Sequence, residues 1–230
     1  MIEVRGVDLH YDGRPVLHGV DVTLSERRIA VIGANGSGKS TFARLLNGLL
    51  LPTAGTVTVD GHDTRRAGRV VRRRVGFVFQ DPDLQIVMPT VAEDVAFGLK
   101  HQGVPRAEIA ERVAATLDRF GLSELADRPA HLLSGGEKQL LAIASVTVLE
   151  PACIVFDEPT TSLDLRNRRR TWAVIAALPQ QAVVVTHDLD AIAGFDRALL
   201  FDGGRIVVDG PPAVAVQEYL ALLDALPDCG

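Results

Sequence analysis

Apolar and polar residues alternate in the first 24 positions. Ile2 and Val4, then Leu9 and Tyr11, then Val20, Val22 and Leu24 fall two apart. A period of two puts side chains on one face of a strand, so this stretch predicts two antiparallel strands. RIAVIG (28–33) replaces alternation with a continuous apolar run that ends in glycine, as a strand buried on both faces would. The period then becomes helical: Phe42, Leu45, Leu46, Leu49 and Leu50 stand at i, i+3, i+4, i+7 and i+8 and predict one apolar helix face. TVTVDG (56–61) and VGFVF (75–79) predict two further strands, the second closed by Gln80.

From about 81 to 145 the pattern offers no good strand. Pro89-Thr90 precedes an acidic first turn, Glu93 and Asp94. Pro105 opens a helix with Ile109, Val113, Leu117 and Phe120 facing inward, and Gly121 sits where a C-terminal cap belongs. Alternation of strand and helix then resumes: ACIVFDE (152–158), a helix over 163–178, AVVVTH (182–187), a short helix, the hairpin ALLFDGGRIVVDG (198–210) and a last helix over 212–226. The layout is a parallel α/β core with a helical insertion near its middle. It predicts a single domain over 1–230. Residues 1–80 and 146–212 form the β subdomain and core, 81–145 the helical subdomain, and 213–230 a C-terminal helix and tail.

Composition narrows the function classes. The 230 residues carry a net charge of −5, which argues against a broad nucleic-acid-binding face. The run RRAGRVVRRR (65–74) is locally basic, and reads either as a solvated face or as a patch toward lipid headgroups or a partner. Cys153 lies in an apolar run and Cys229 near the C-terminus, so no disulfide framework follows and a reducing compartment is expected. The start, MIEVRG, lacks the shape of a signal peptide, and no stretch approaches 18 uninterrupted apolar residues.

Two stretches carry the chemistry most plainly. GANGSGKST (33–41) fits G-x-x-x-x-G-K-[ST] through Gly33, Gly38, Lys39 and Ser40, with the required strand before it and helix after it. Its glycines let backbone N–H groups curl around a β-phosphate, Lys39 adds a point charge on the β- and γ-phosphates, and the Ser40 hydroxyl suits Mg²⁺. ACIVFDE delivers Asp157 and Glu158 at the end of a buried strand, Asp157 toward the metal and Glu158 as a base that polarises water. Apolar strands also end in Gln80 and His187. In a parallel sheet such ends share the edge where ligands bind. A second phosphate-seeking feature is LSGGEKQ (133–139), where Ser134 and Glu137 make an S-x-x-E capping box at a helix start.

The ordered set Tyr11, GANGSGKST, Gln80, LSGGEKQ, CIVFDEP (153–159), SLD (162–164) and His187 resembles the ATP-binding subunit of an ATP-binding-cassette (ABC) transporter over nearly the whole chain. The resemblance implies a phosphate-loop, RecA-like α/β core with an N-terminal antiparallel β subdomain and an inserted helical subdomain that bears the signature. It implies ATP and Mg²⁺, with Tyr11 stacking on adenine and Gly33, Asn35, Gly36, Ser37, Gly38, Lys39, Ser40 and Thr41 holding the nucleotide. Ser40, Gln80 and Asp157 would hold the metal, Glu158 would be the general base, and His187 would contact the γ-phosphate beside Gln80 and Lys39. Ser134, Gly135, Gly136, Glu137 and Asp164 would reach the ATP of a second chain, in a homodimer or in a pair with a different cassette.

Two longer stretches, 79–99 and 134–151, narrow the resemblance to the energy-coupling-factor (ECF) branch, which imports vitamins and transition metals. Gln85, the DPD before it and Glu137 follow that branch, while Ser145 stands where the wider family commonly has arginine. Cobalt and nickel members often carry an extra C-terminal segment, which tilts the expectation toward the short biotin-type ATPase. The implied partners are a transmembrane coupling subunit and a substrate-binding membrane subunit, with no nucleic acid, at the cytoplasmic face of the membrane. The rival is a cassette ATPase acting as a nucleotide-gated clamp in DNA repair or chromosome organisation. Such proteins place a long coiled coil before the signature, whereas only 53 residues, without sustained heptads, lie between Gln80 and Ser134.

Overall fold

The computed structural model describes residues 1–225. Residues 226–230, with Cys229 and the expected end of the last helix, lie outside the described residues. In chain order the elements are β1 (Ile2–Tyr11), β2 (Arg14–Leu24), β3 (Arg28–Gly33), α1 (Lys39–Leu46), β4 (Ala54–Val59), β5 (His62–Asp63), α2 (Gly68–Arg74), β6 (Val75–Val78), α3 (Val91–Gln102), α4 (Arg106–Phe120), α5 (Gly135–Thr147), β7 (Cys153–Asp157), α6 (Leu165–Ala177), β8 (Gln181–Val185), β9 (Arg197–Asp202), β10 (Arg205–Gly210) and α7 (Pro212–Asp224). They form two compact units, Met1–Val75 with the chain from Gln181 onward, and Gly76–Gln180.

In the first unit, alternation produces an antiparallel sheet in the order β2-β1-β4-β5. Ile2 pairs with Leu24 on one side and Val59 on the other, so the apolar faces of three strands coincide. The continuous apolar runs instead build parallel pairs, β3 with β8 and β3 with β9, and β10 closes the edge antiparallel to β9. All six residues of β3 are buried. Ala30, Ile32, Ile192, Ala198, Leu200 and Ala215 form a core cluster against which α7 lays Val216 and Tyr219. Arg197 ties β9 to β10 by two hydrogen bonds of 2.6 Å to Asp209, and also reaches Glu26 at 3.0 Å. These charge-assisted bonds raise its pKa above the ordinary arginine value.

The second unit holds the helical insertion together with the neighbouring strands β6 and β7. Thr90 caps α3 through a complete capping box with Glu93, and Gly121 ends α4 in the left-handed conformation. Gly76 of β6 has no room for a side chain, because a Cβ there would meet Val146 and Pro151.

Three expectations need correction. The helix after the phosphate loop stops at Leu46, so Leu49 and Leu50 are not on it, and Leu49 is 43% exposed. The Asn47 side chain accepts the N–H of Leu49, and Gly48 at φ 73° turns the chain away, which ends the helix although the apolar spacing continues. The short helix expected after His187 is a set of turns over 189–194. There Phe195 N–H bonds Ile192 O, one residue short of the α-helical step, and Leu189, Ile192 and Phe195 pack onto the core cluster. Finally α6 starts at Leu165 rather than 163, because the Asp164 side chain caps it.

Candidate functional site

The phosphate loop leaves β3 at Gly33, whose φ is 139°; a Cβ at this position would run into the Phe201 carbonyl of β9. Gly38, at φ 102°, caps α1 without any side-chain hydrogen bond and lies against Leu17 and Val16 of β2. The first amides of α1 therefore have no side-chain cap, the arrangement that anions exploit. Gly36 has φ 79° and open space around it, so only its backbone conformation calls for glycine. Lys39 is buried, and its Nζ donates to Gly33 O at 2.8 Å and Ala34 O at 2.7 Å, which folds the ammonium back over the loop. Ser37 is buried too, and its Oγ has no hydrogen-bond partner among the described residues. An orphaned buried hydroxyl costs roughly 1–3 kcal/mol, and a phosphate oxygen in the loop would satisfy it. The loop fits a nucleotide phosphate on that ground.

The same unit places His187. Val31 of β3 pairs in parallel with Val185 of β8, and Thr186 N–H bonds Val31 O. Gly33 and His187 each lie two residues beyond that paired level, so the parallel register sets them at the same sheet edge. The Thr186 hydroxyl accepts from Asp188 N–H at 3.0 Å, which shapes the turn that carries the exposed His187. Tyr11, 43% exposed, stands at the β1–β2 hairpin.

The second unit carries the other half of the motif set. Asp157 ends the fully buried strand β7 and is itself 2% exposed. The next residue, Glu158, sits at φ 50°, a left-handed conformation that costs a non-glycine residue on the order of 1 kcal/mol or more. Thr161 Oγ1 donates to its Oε2 at 3.0 Å, and Thr161 N–H bonds its carbonyl. Ser40 and Asp157 are hard oxygen donors of the kind Mg²⁺ takes. Among the described residues no group of three or more His, Cys, Asp or Glu could hold a metal.

Ser134 caps α5 by a reciprocal box. Its Oγ accepts from Glu137 N–H, and Glu137 Oε2 accepts from Ser134 N–H at 2.8 Å. These bonds, with Arg128 and Arg170 nearby, hold the Glu137 carboxyl below its ordinary pKa. Ser134 and Gly135 are exposed, and among the described residues no atom lies within 4 Å of where a Gly135 Cβ would be. Gly136 is different, because Asn167 of α6 fills the place of its side chain. Asn167 also donates twice to Asp164 at 2.8 Å, which lowers the Asp164 pKa. The signature turn and Asp164 are therefore joined through Asn167, a residue the sequence alone does not single out; the only local signal is its place three residues after a capping aspartate. Gln80 follows β6 and is exposed.

Phosphate loop, strand-end carboxylates and the α/β architecture define a phosphate-loop ATPase. A family model described as ABC transporter matches residues 17–161. The biotin transport ATP-binding protein BioM of Rhizobium etli is 49% identical over 218 residues, 95% of this chain and 97% of that protein. An energy-coupling factor transporter ATP-binding protein, EcfA1 of Symbiobacterium thermophilum, is 48% identical and spans 93% of this chain and 75% of its own length. Among solved structures, cbiO1 of Clostridium perfringens, described as part of the ABC transporter complex cbiONQ, superposes with a TM-score of 0.84 at 32% identity, covering 96% of this chain and 93% of that one. The chain belongs to the ABC transporter family, as an ATP-hydrolysing subunit of its energy-coupling-factor branch.

Proposed function

We propose that this protein energises an ECF-type membrane importer, with biotin the favoured cargo and cobalt or nickel ions the alternative. The observation that carries the reading is the phosphate loop with its buried, doubly bonded Lys39 and orphaned Ser37 hydroxyl, in a chain similar over nearly its whole length to a biotin-transport ATPase. Among the described residues no helix is long and apolar enough to cross a membrane. The chain would act from the cytoplasmic face through a coupling subunit and a substrate-binding subunit that do cross it.

In this reading two chains bind two ATP molecules between them, head to tail. Tyr11 stacks on adenine, and the loop from Gly33 through Asn35, Gly36, Ser37 and Gly38 to Thr41 wraps the phosphates with its amides. Lys39 places a positive charge on the β- and γ-phosphates. Ser40, Gln80 and Asp157 would hold Mg²⁺, which would supply neutralising charge to the phosphates. Glu158 accepts the proton of the attacking water as its oxygen bonds to the γ-phosphorus and ADP departs, while His187 steadies the γ-phosphate. Ser134, Gly135, Gly136, Glu137 and Asp164 belong to the partner's ATP, a reading supported by the exposure of Ser134 and Gly135 at the start of α5. Nucleotide contacts shared by two chains favour closure, and their loss on hydrolysis releases it.

The test is transport in vesicles containing the chain with its membrane subunits. ATP-dependent uptake of labelled biotin, abolished in Lys39→Ala, is the expected result. Uptake of Co²⁺ or Ni²⁺ in place of biotin would move the cargo to the metal class. Near-normal ATP hydrolysis by Lys39→Ala would reject the phosphate-loop assignment.

A further inference from the structure

The stretch that follows Gln80, from Asp81 into the first turn of α3, is fastened to the signature helix α5 at three points. Lys138 Nζ bonds Asp83 Oδ1 at 2.7 Å. Gln85 Nε2 donates to Ala142 O at 2.8 Å. Ser145 Oγ donates to Asp94 Oδ2 at 2.8 Å. Lys138, Ala142 and Ser145 are spaced i, i+4 and i+7, so the three attachments run along one face of the helix. Asp94 is 4% exposed, and its other oxygen accepts the N–H groups of Val87 and Met88 at 2.9 and 3.1 Å.

Gln85 differs from the other two attachments in one respect. Its Oε1 accepts the N–H of Phe79 at 3.2 Å, so one side chain links the residue directly before Gln80 to the backbone of α5. The turn over Pro82–Leu84 holds Gln85 in place, with Gln85 N–H on Pro82 O at 3.0 Å and Asp81 capping through Asp83 N–H. A primary amide suits this bridge because it offers an acceptor and a donor on one rigid plane.

We infer that Gln85 is a positioning residue for ATP hydrolysis. It ties the backbone beside Gln80 to α5, so that the state of Gln80 at the metal and γ-phosphate sets the placement of Ser134 toward the partner's ATP. The inference rests on the proposed roles of Gln80 and Ser134. It goes beyond them by naming the link, which is neither a nucleotide contact nor a feature of the capping box. Asp83–Lys138 and Asp94–Ser145 keep the segment and the helix in register, and Gln85 supplies the connection to the reacting end.

Gln85→Glu separates this role from packing. The carboxylate keeps an acceptor for Phe79 N–H but sets a second acceptor against Ala142 O, so only the bond to α5 is lost. Gln85→Ala removes both bonds and serves as the second variant. Full-length wild type and variants are compared by affinity for a fluorescent ATP analogue, by kcat and KM, and by amide hydrogen exchange over 134–142 with and without ATP. ATP affinity and KM within about twofold of wild type, with kcat lower by about tenfold, are expected for loss of one bridging hydrogen bond beside a reacting group. The ATP-induced change in exchange at 134–142 should be present in wild type and absent in Gln85→Glu. An unchanged kcat, or an ATP response at 134–142 that persists in both variants, would overturn the inference. So would a fall in ATP affinity matching the fall in kcat, which marks a structural role only. A wild-type chain that binds no ATP would remove the proposed function and this inference with it, and would be seen before any variant is made.

Discussion

At the scale of single residues, two glycines of one loop are required for different reasons. Gly33 combines φ 139° with a collision between any Cβ and the Phe201 carbonyl, whereas Gly36 has φ 79° and open surroundings. Gly33→Ala should therefore cost roughly 2 kcal/mol or more, since backbone must shift, and Gly36→Ala only about 1 kcal/mol. Gly36→Asn should recover part of that loss, because asparagine tolerates the left-handed region. Denaturant titration of the three variants checks the order; equal losses for the two alanine variants would refute the distinction. The motif G-x-x-x-x-G-K-S is legible in the sequence itself. The clash at Gly33 is not, because Phe201 is 168 residues away in sequence and arrives only through the parallel pairing of β3 with β9.

At the scale of elements, the capping box at α5 is readable from Ser134 and Glu137, and the structure forms it. Ser134→Ala should destabilise the helix start by about 1 kcal/mol. Glu137 also gives this element a pH dependence. Its folded pKa is lowered, chiefly by the bond from Ser134 N–H, so the unfolded chain takes up the proton first as pH falls. The stability it adds is complete above the ordinary value of 4.5 and is lost as pH drops through the lower folded value. The melting-temperature gap between wild type and Glu137→Ala should be constant near neutrality and shrink in acid below that value. A gap that widens in acid would show that the sign is wrong. Helix ends are harder to read. Leu49 and Leu50 keep the helical spacing, yet Asn47 and Gly48 stop α1, since a C-terminal cap overrides the period. Leu189, Ile192 and Phe195 recur every three residues, and turns suffice to bring Leu189 and Phe195 onto the core cluster that holds Ile192.

At the scale of the whole molecule, the proposed two-chain closure sets two expectations. Glu158→Gln should bind ATP without completing proton transfer, and should run as an ATP-dependent dimer in size-exclusion chromatography with light scattering. Monomer at saturating ATP would count against the base assignment. Adding Ser134→Arg to that variant should preserve nucleotide binding by one chain while abolishing the dimer, because the arginine fills the exposed helix end meant for the partner's phosphate. If it removes binding to the isolated chain, the signature serves its own nucleotide and the head-to-tail arrangement fails. Sequence alone determined the class of this protein. Phosphate loops, capping boxes and apolar strand runs are local, so their spacing fixes backbone conformation and donor type within a dozen residues. Only the tertiary structure decided which of these local pieces touch. It set Gly33 and His187 at one edge by strand register, seated Asn167 in the space beside Gly136, and drew Gln85 between Phe79 and Ala142. Apart from Phe79 and Gln85, those pieces are far apart in the chain, and no local period encodes any of these placements, because side-chain reach and packing select the partner after the elements have formed.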